Sequence, residues 1–71
     1  MSPIELSDLR KKRASALLFA RKRLRITKLK LSQVTGLSRP TIDRIESGQY
    51  SWSIDTEMIY LSGLKLNEVK N

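Results

Sequence analysis

The chain has 71 residues, of which 39% are apolar, and a formal net charge of +7. This length predicts one domain, and the small number of glycines and prolines favours a small helical bundle over a disordered chain. Without cysteine or histidine, a disulfide framework, a Cys/His zinc site and the usual nucleophile–base pairs are excluded, so we expect no enzyme, metal or other cofactor. No apolar run approaches the length of a membrane span and the start lacks an apolar signal core, which favours a soluble cytoplasmic protein.

The positive charge is concentrated in one part of the chain. Eleven Lys or Arg residues and no acidic residue lie between Leu9 and Ile42, whereas residues 43–71 carry three basic and five acidic side chains. This asymmetry is typical of a surface that binds phosphate groups, although a basic run is also often only a solvated face. By itself, the charge favours nucleic acid over a membrane surface as the partner.

The first predicted helix covers residues 8–24, where no Gly or Pro interrupts the sequence and Asp8 suits the positive end of the helix dipole. Two basic clusters flank the segment ALLFA, which we interpret as core; the alternative is an amphipathic membrane helix, for which the apolar block is short. Three roles stay open for residues 1–13: an arm along DNA, a partner-binding helix, or a longer first helix.

Residues 26–48, ITKLKLSQVTGLSRPTIDRIESG, predict two short helices around a turn, over 28–35 and 39–47. Serine and threonine hydroxyls suit the two helix starts, and glycines stand where the chain leaves each helix. The apolar residues expected to face the core are Leu29, Leu31, Val34, Leu37, Ile42 and Ile45. The opposite side of the second helix forms one exposed strip of Pro40, Asp43, Arg44 and Ser47, with Arg39 beside it.

A further helix is predicted over residues 54–64, after the loop QYSWS, with Ser53 or Asp55 as its cap. Its core-facing stripe is expected to be Ile54, Met58, Leu61 and Leu64. We expect Gly63 to end this helix early and Trp52 to pack under the loop.

The run SQVTGLSRPTIDRIESG resembles the helix-turn-helix core of the Cro/C1-type (XRE-like) repressor family. Small Ser32, the turn Gly36, apolar Leu37, capping Ser38 and the ending from Ile45 to Gly48 are in register. The resemblance implies an all-α bundle of four to five helices, lambda-repressor-like, over residues 14–66, between a basic extension of the first helix (1–13) and a short tail (67–71). It also implies sequence-specific binding of double-stranded DNA by a small transcriptional regulator, a repressor rather than an activator.

Arg39 and Arg44 are the predicted base readers, because arginine reaches guanine O6 and N7 with two bonds in the major groove. Lys28 stands where the family places a polar residue that supports a phosphate contact. The resemblance also implies that Arg21 pairs with Glu46 as a structural element rather than a DNA contact. The full predicted DNA-binding set is Thr27, Lys28, Ser38, Arg39, Pro40, Thr41, Asp43, Arg44, Gln49 and Tyr50.

The expected partner is double-stranded DNA, bound by a homodimer that forms on the DNA. One alternative is a protein-interaction module with the same fold, such as an antitoxin, using a face around Leu17, Leu18 and Phe19 to bind a toxin. Another is an RNA-binding helical module on the same basic surface, which a lack of exposed aromatic residues for base stacking disfavours.

Overall fold

The computed structural model describes residues 2–69, with side chains as far as residue 65. Within this part of the chain the structure is all-helical and contains no strand, which confirms the predicted fold class at that level. The four helices are α1 (Pro3–Arg23), α2 (Lys28–Thr35), α3 (Arg39–Ser47) and α4 (Ile54–Val69). The long first helix packs on α3, while α2 packs on both α3 and α4.

Helix α1 begins five residues before the predicted start. Ser2 is its N-cap, with its side-chain oxygen accepting a hydrogen bond of 3.2 Å from the Glu5 amide, and Pro3 occupies the first helical position. Proline suits that position because its missing N–H would have no partner there. The predicted start at residue 8 is therefore wrong, because Ser2 and Pro3 together form the actual helix start.

The bounds of α2 and α3 coincide with the predicted ones, because local side chains specify both ends. Thr27 Oγ1 accepts from the Lys30 amide at 3.0 Å, and Ser38 Oγ accepts from the Thr41 amide at 3.2 Å. Gly36 and Gly48 end the two helices with φ of 79° and 69°, a left-handed conformation that is unfavourable for residues with a Cβ.

The core lies where the four helices meet. It consists of Leu17, Ile26, Leu31, Ile42, Ile45, Tyr60 and Leu64, with Ala20, Leu24, Val34, Leu37 and Trp52 packed partly buried around it. Leu29 was predicted to face this core, but its side chain is 56% exposed. It lies at the start of a helix of only two turns, where Leu31 occupies the inward position.

Only part of the predicted stripe of α4 faces the core. Ile54 and Met58 are 77% and 61% exposed, whereas Tyr60 is completely buried. Gly63 does not end the helix, which continues to Val69. A Cβ on Gly63 would lie only 2.7 Å from Leu31 Cδ1, so this glycine allows α4 to approach α2 closely. With α4 in this position Ile54 and Met58 of the predicted stripe are exposed, whereas Leu64 lies in the core, as predicted.

Ser53 provides the start of α4, its Oγ accepting from the Thr56 amide at 3.0 Å. Trp52 packs partly buried against the core, as predicted, and its indole N–H donates to Glu57 at 3.1 Å. Among the described residues, no helix is both long and apolar enough to cross a membrane. Residues 70 and 71 of the predicted tail lie outside the described part of the chain.

Candidate nucleic-acid interface

The orientation of α3 is set by a buried ion pair. The Arg21 guanidinium donates to both Glu46 carboxylate oxygens, Nε to Oε2 at 2.6 Å and Nη2 to Oε1 at 3.0 Å. The side chains are only 8% and 5% exposed. Such a two-bond geometry fixes angle as well as distance, so α1 and α3 are held in one relative orientation. The structure thus brings together the two residues predicted to form the structural ion pair.

Two further contacts connect this ion pair to the rest of the bundle. Arg21 Nη1 donates to the Ile26 carbonyl at 2.7 Å, which ties the α1–α2 turn to the pair. The Tyr60 hydroxyl of α4 donates to Glu46 Oε2 at 2.6 Å. The hydrogen bonds that Arg21 donates to Glu46 hold the pKa of Arg21 above its ordinary value, while burial, together with the Glu46 carboxylate, raises the pKa of Tyr60. Arg21 therefore stays charged and Tyr60 stays protonated over the physiological range.

The outward strip of α3 is exposed as predicted. Arg39, Pro40, Asp43 and Arg44 are all exposed, while Ile42 and Ile45 on the other side are fully buried. Helix α3 therefore presents two guanidinium groups and one carboxylate on its outer side.

Lys28 at the start of α2 pairs with Asp43 on α3. Lys28 Nζ lies 2.6 Å from Asp43 Oδ1, with side-chain exposures of 37% and 54%. The hydrogen bond from Lys28 is the main cause that holds the pKa of Asp43 below its usual range. The Asp43 carboxylate thus remains ionised, and its charge is offset by the neighbouring ammonium. Since both residues were predicted to contact DNA separately, the structure adds a link between them.

Arg44 lies over the ring of Tyr50, with its guanidinium carbon 5.5 Å from the ring centroid. This is a cation–π distance, and at an exposed site such a contact is worth about 0.5–1 kcal/mol. Tyr50 is 61% exposed and Gln49 is exposed beside it. The loop after α3 therefore limits the directions in which the Arg44 side chain can point, while leaving it open to solvent.

The remaining predicted contact residues are the two cap residues and Thr41. Thr27 and Ser38 use their hydroxyl oxygens to cap α2 and α3, and the Ser38 and Thr41 hydroxyls share a hydrogen bond of 2.9 Å. Both cap residues are exposed and Thr41 is half-buried. Their side-chain oxygens already have partners in the fold, so their first role is to hold the helix starts.

The N-terminal part of α1 contacts both the loop between α3 and α4 and the first turn of α4. Arg10 donates to the Gln49 carbonyl at 3.5 Å, and Arg13 donates to Glu57 at 2.6 and 3.1 Å. The hydrogen bond from Arg13 is the main cause that holds the pKa of Glu57 below its ordinary value. Basic residues of the predicted extension thus contact the loop that carries Tyr50, through Arg10, and the start of α4, through Arg13.

Several of these contacts could not be predicted from the sequence. The Lys28–Asp43 pair spans 15 positions and the Tyr60–Glu46 contact spans 14, so that no local spacing signals them. Of the face suggested for a protein partner, Leu17 is only 3% exposed and belongs to the core, while Phe19 is 68% exposed.

Comparisons with protein-family models, with curated proteins and with solved structures find no match to this chain.

Proposed function

We propose that this protein binds double-stranded DNA sequence-specifically as a small transcriptional regulator, with α2 and α3 acting as a helix-turn-helix of the Cro/C1 type. The observation that carries the proposal is the outer strip of α3, which exposes Arg39 and Arg44 on a helix whose orientation is fixed by the buried Arg21–Glu46 pair. A rigidly held helix with exposed arginines is what readout of base edges requires.

In this proposal α3 enters the major groove, which is about 12 Å wide and admits one α-helix. Arg39 and Arg44 each have the planar two-donor end that matches guanine O6 and N7. Arg44 remains over the ring of Tyr50 while its guanidinium reaches a base. Because the Tyr50 ring limits the directions open to Arg44, less side-chain entropy is lost on binding.

Phosphate contacts come from both sides of α3. On one side, the start of α2 presents backbone amide groups and the Lys28 ammonium to a DNA strand. On the other side, Gln49 and Tyr50 of the following loop, both exposed, reach the DNA backbone across the groove. The Lys28–Asp43 pair keeps the one carboxylate of the strip from repelling phosphates.

One α3 helix contacts only a few base pairs, so we propose that regulation uses two copies on one operator. Two half-sites about one helical turn, roughly 34 Å, apart would multiply the specificity of the single helix. Repression by blocking a promoter is then the simplest consequence of tight binding.

Selection of bound sites from random duplex DNA, at a fixed salt concentration, tests this proposal. We expect enrichment of a motif with guanines and two-fold related half-sites, and a lower affinity for duplex RNA of the same sequence, whose deep, narrow major groove excludes α3. Recovery of DNA with no enriched motif, or equal binding of duplex RNA, would contradict it. A variant with Arg39 and Arg44 both changed to Ala serves as the control, because these exposed residues are not part of the core.

A further inference from the structure

The outward face of α1 carries an ordered pattern of its own. Helix α1 packs inward through Ala14, Leu17 and Arg21, which are 1%, 3% and 6% exposed. On the opposite side, six exposed residues recur at alternating spacings of four and three positions. They are Glu5, Leu9, Lys12, Ala16, Phe19 and Arg23. Alternate spacings of four and three keep residues on one line along a helix, which is the pattern of a helix-pairing seam.

Two of these residues are large and apolar. Phe19 is 68% exposed and Leu9 is 48% exposed. Neither contributes to the core, and a single exposed apolar residue would need no explanation. Here both lie on the same line of the same helix, with the small residue Ala16 between them, so that another helix has room to approach.

The six residues are related by a two-fold symmetry about the level of Ala14. Glu5 and Arg23 lie nine positions before and after it, Leu9 and Phe19 five, and Lys12 and Ala16 two. If the face meets an antiparallel copy of itself, each residue therefore lies opposite its symmetry mate. Acid meets base at both ends, apolar meets apolar next, and a long side chain meets a small one at the centre.

We propose that the outward face of α1 binds the same face of a second copy of this chain in antiparallel orientation. Glu5 of each copy pairs with Arg23 of the other, and Leu9 packs on Phe19. The Lys12 stem covers the methyl group of Ala16 while its ammonium stays in water. A parallel arrangement would instead place Glu5 against Glu5 and Arg23 against Arg23, which like-charge repulsion disfavours.

This contact is expected to be weak in the free protein. The seam extends over 19 residues, or about 28 Å of helix at 1.5 Å per residue, and one stripe per copy buries less than the roughly 1,000 Å² typical of a stable interface. The net charge of +7 on each copy opposes association further. The contact does not depend on DNA, so the inference stands or falls independently of the proposed function.

Disulfide trapping tests the inference directly, because the chain has no cysteine of its own. Leu9→Cys and Phe19→Cys variants are mixed at equal concentration and oxidised. In the antiparallel seam these two positions lie opposite each other, whereas two copies of position 9 are about 15 Å apart along the axis, given the helical rise, which exceeds disulfide reach. We expect the mixed disulfide to form several-fold faster than either symmetric one.

A statistical mixture of the three disulfides would mean random collision and would overturn the inference, as would faster formation of the symmetric disulfide of either variant. Circular dichroism of each variant before oxidation checks that α1 is intact, which is expected because both positions are exposed.

Charge reversal gives an independent test in the same trapping assay. Arg23→Glu should lower the yield of mixed disulfide several-fold, and adding Glu5→Arg to the same chain should restore it, because the end pairs are then reversed but complementary. Lys22→Glu is the matched control, with the same change in net charge on an exposed neighbouring residue outside the seam. An equal loss for Lys22→Glu, or no recovery in the double variant, would contradict the proposed register.

Discussion

Removal of the Glu46 carboxylate is expected to destabilise the fold strongly, because Glu46 bonds both α1 and α4 and holds Arg21 in place. It accepts two bonds from Arg21 and one from the Tyr60 hydroxyl, and Arg21 in turn holds the Ile26 carbonyl. In Glu46→Ala the guanidinium stays buried with only one of these three partner contacts. Breaking one side of a buried pair typically costs about 3–5 kcal/mol, since a charge is left uncompensated.

For a domain of this size, each kcal/mol lowers the melting temperature by about 4–8 °C, so a loss of about 3 kcal/mol predicts a decrease of roughly 12–24 °C. The measurement is thermal unfolding followed by circular dichroism. Asp8→Ala is the matched control, because Asp8 is an exposed carboxylate, and such surface changes usually stay within about 0.5 kcal/mol. Glu57 would be a poor control, since it pairs with Arg13 and Trp52.

A double variant separates the loss of the interaction from the cost of an unpaired charge. Replacing both Arg21 and Glu46 by Met removes the two charges together and leaves apolar side chains of similar length. We expect this double variant to be more stable than Glu46→Ala, because no buried charge remains. Melting of Glu46→Ala within error of Asp8→Ala, or a double variant no more stable than Glu46→Ala, would contradict this expectation.

Two further predictions concern the packing of α4 and the loop before it. Gly63→Ala should destabilise the domain by about 1–3 kcal/mol, as overpacking usually does, since the new Cβ would lie 2.7 Å from Leu31 Cδ1. Chemical denaturation measures this loss of stability. An unchanged denaturant midpoint would contradict the prediction, because α2 and α4 would then separate freely. The second uses Trp52, the one tryptophan of the chain, which donates to Glu57. Because the pKa of Glu57 is lowered in the fold, its contribution to stability is present at neutral pH and is lost as pH falls through that lowered pKa. Tryptophan fluorescence should therefore change on acidification with a midpoint pH below about 4.3, the usual pKa of glutamate. The Glu57→Gln variant should not show this change. A midpoint pH at or above the usual glutamate pKa would contradict the assignment.

The segment from α2 to α3 could be predicted closely from the sequence because its ends are specified locally. A hydroxyl cap and a left-handed glycine act within one turn of the residues they terminate, so neighbouring residues suffice to place them. The exposed strip of α3 follows from the same local information. Once Ile42 and Ile45 face inward, the helical period places Arg44 on the outer side.

Helix α4 shows why the spacing of apolar residues alone does not predict which face of a helix is buried. Of the predicted apolar stripe, Ile54 and Met58 are exposed and only Leu64 lies in the core. The buried stripe contains Tyr60, whose hydroxyl is satisfied by Glu46, and Gly63, which allows close contact with α2. Both advantages depend on residues from other helices, so the stripe that is buried is decided by tertiary contacts rather than by hydrophobicity.

The details of the candidate interface also depend on tertiary structure. Lys28 and Asp43 were predicted as separate DNA contacts, and only their positions on adjacent helices bring them to 2.6 Å. This pairing changes the expected role of Lys28, which neutralises a carboxylate in the fold and, in the proposed function, also contacts a DNA phosphate. If the proposed function holds, substitution of Lys28 should have two effects, a lost phosphate contact and an unpaired Asp43 charge, and both should weaken binding without regard to base sequence.

The most direct test of the central claim compares Arg44→Ala and Lys28→Ala on the selected duplex and on a scrambled duplex over a salt series. If Arg44 reads a guanine, Arg44→Ala should lose about 1–3 kcal/mol on the selected duplex and much less on the scrambled one. Lys28→Ala should weaken both duplexes by a similar factor and reduce the salt slope by about one unit per bound subunit. Lys65→Ala, an exposed lysine on α4, is the control for simple loss of charge. Equal losses on the two duplexes for Arg44→Ala would contradict the account, because α3 would then not be the element that reads the sequence.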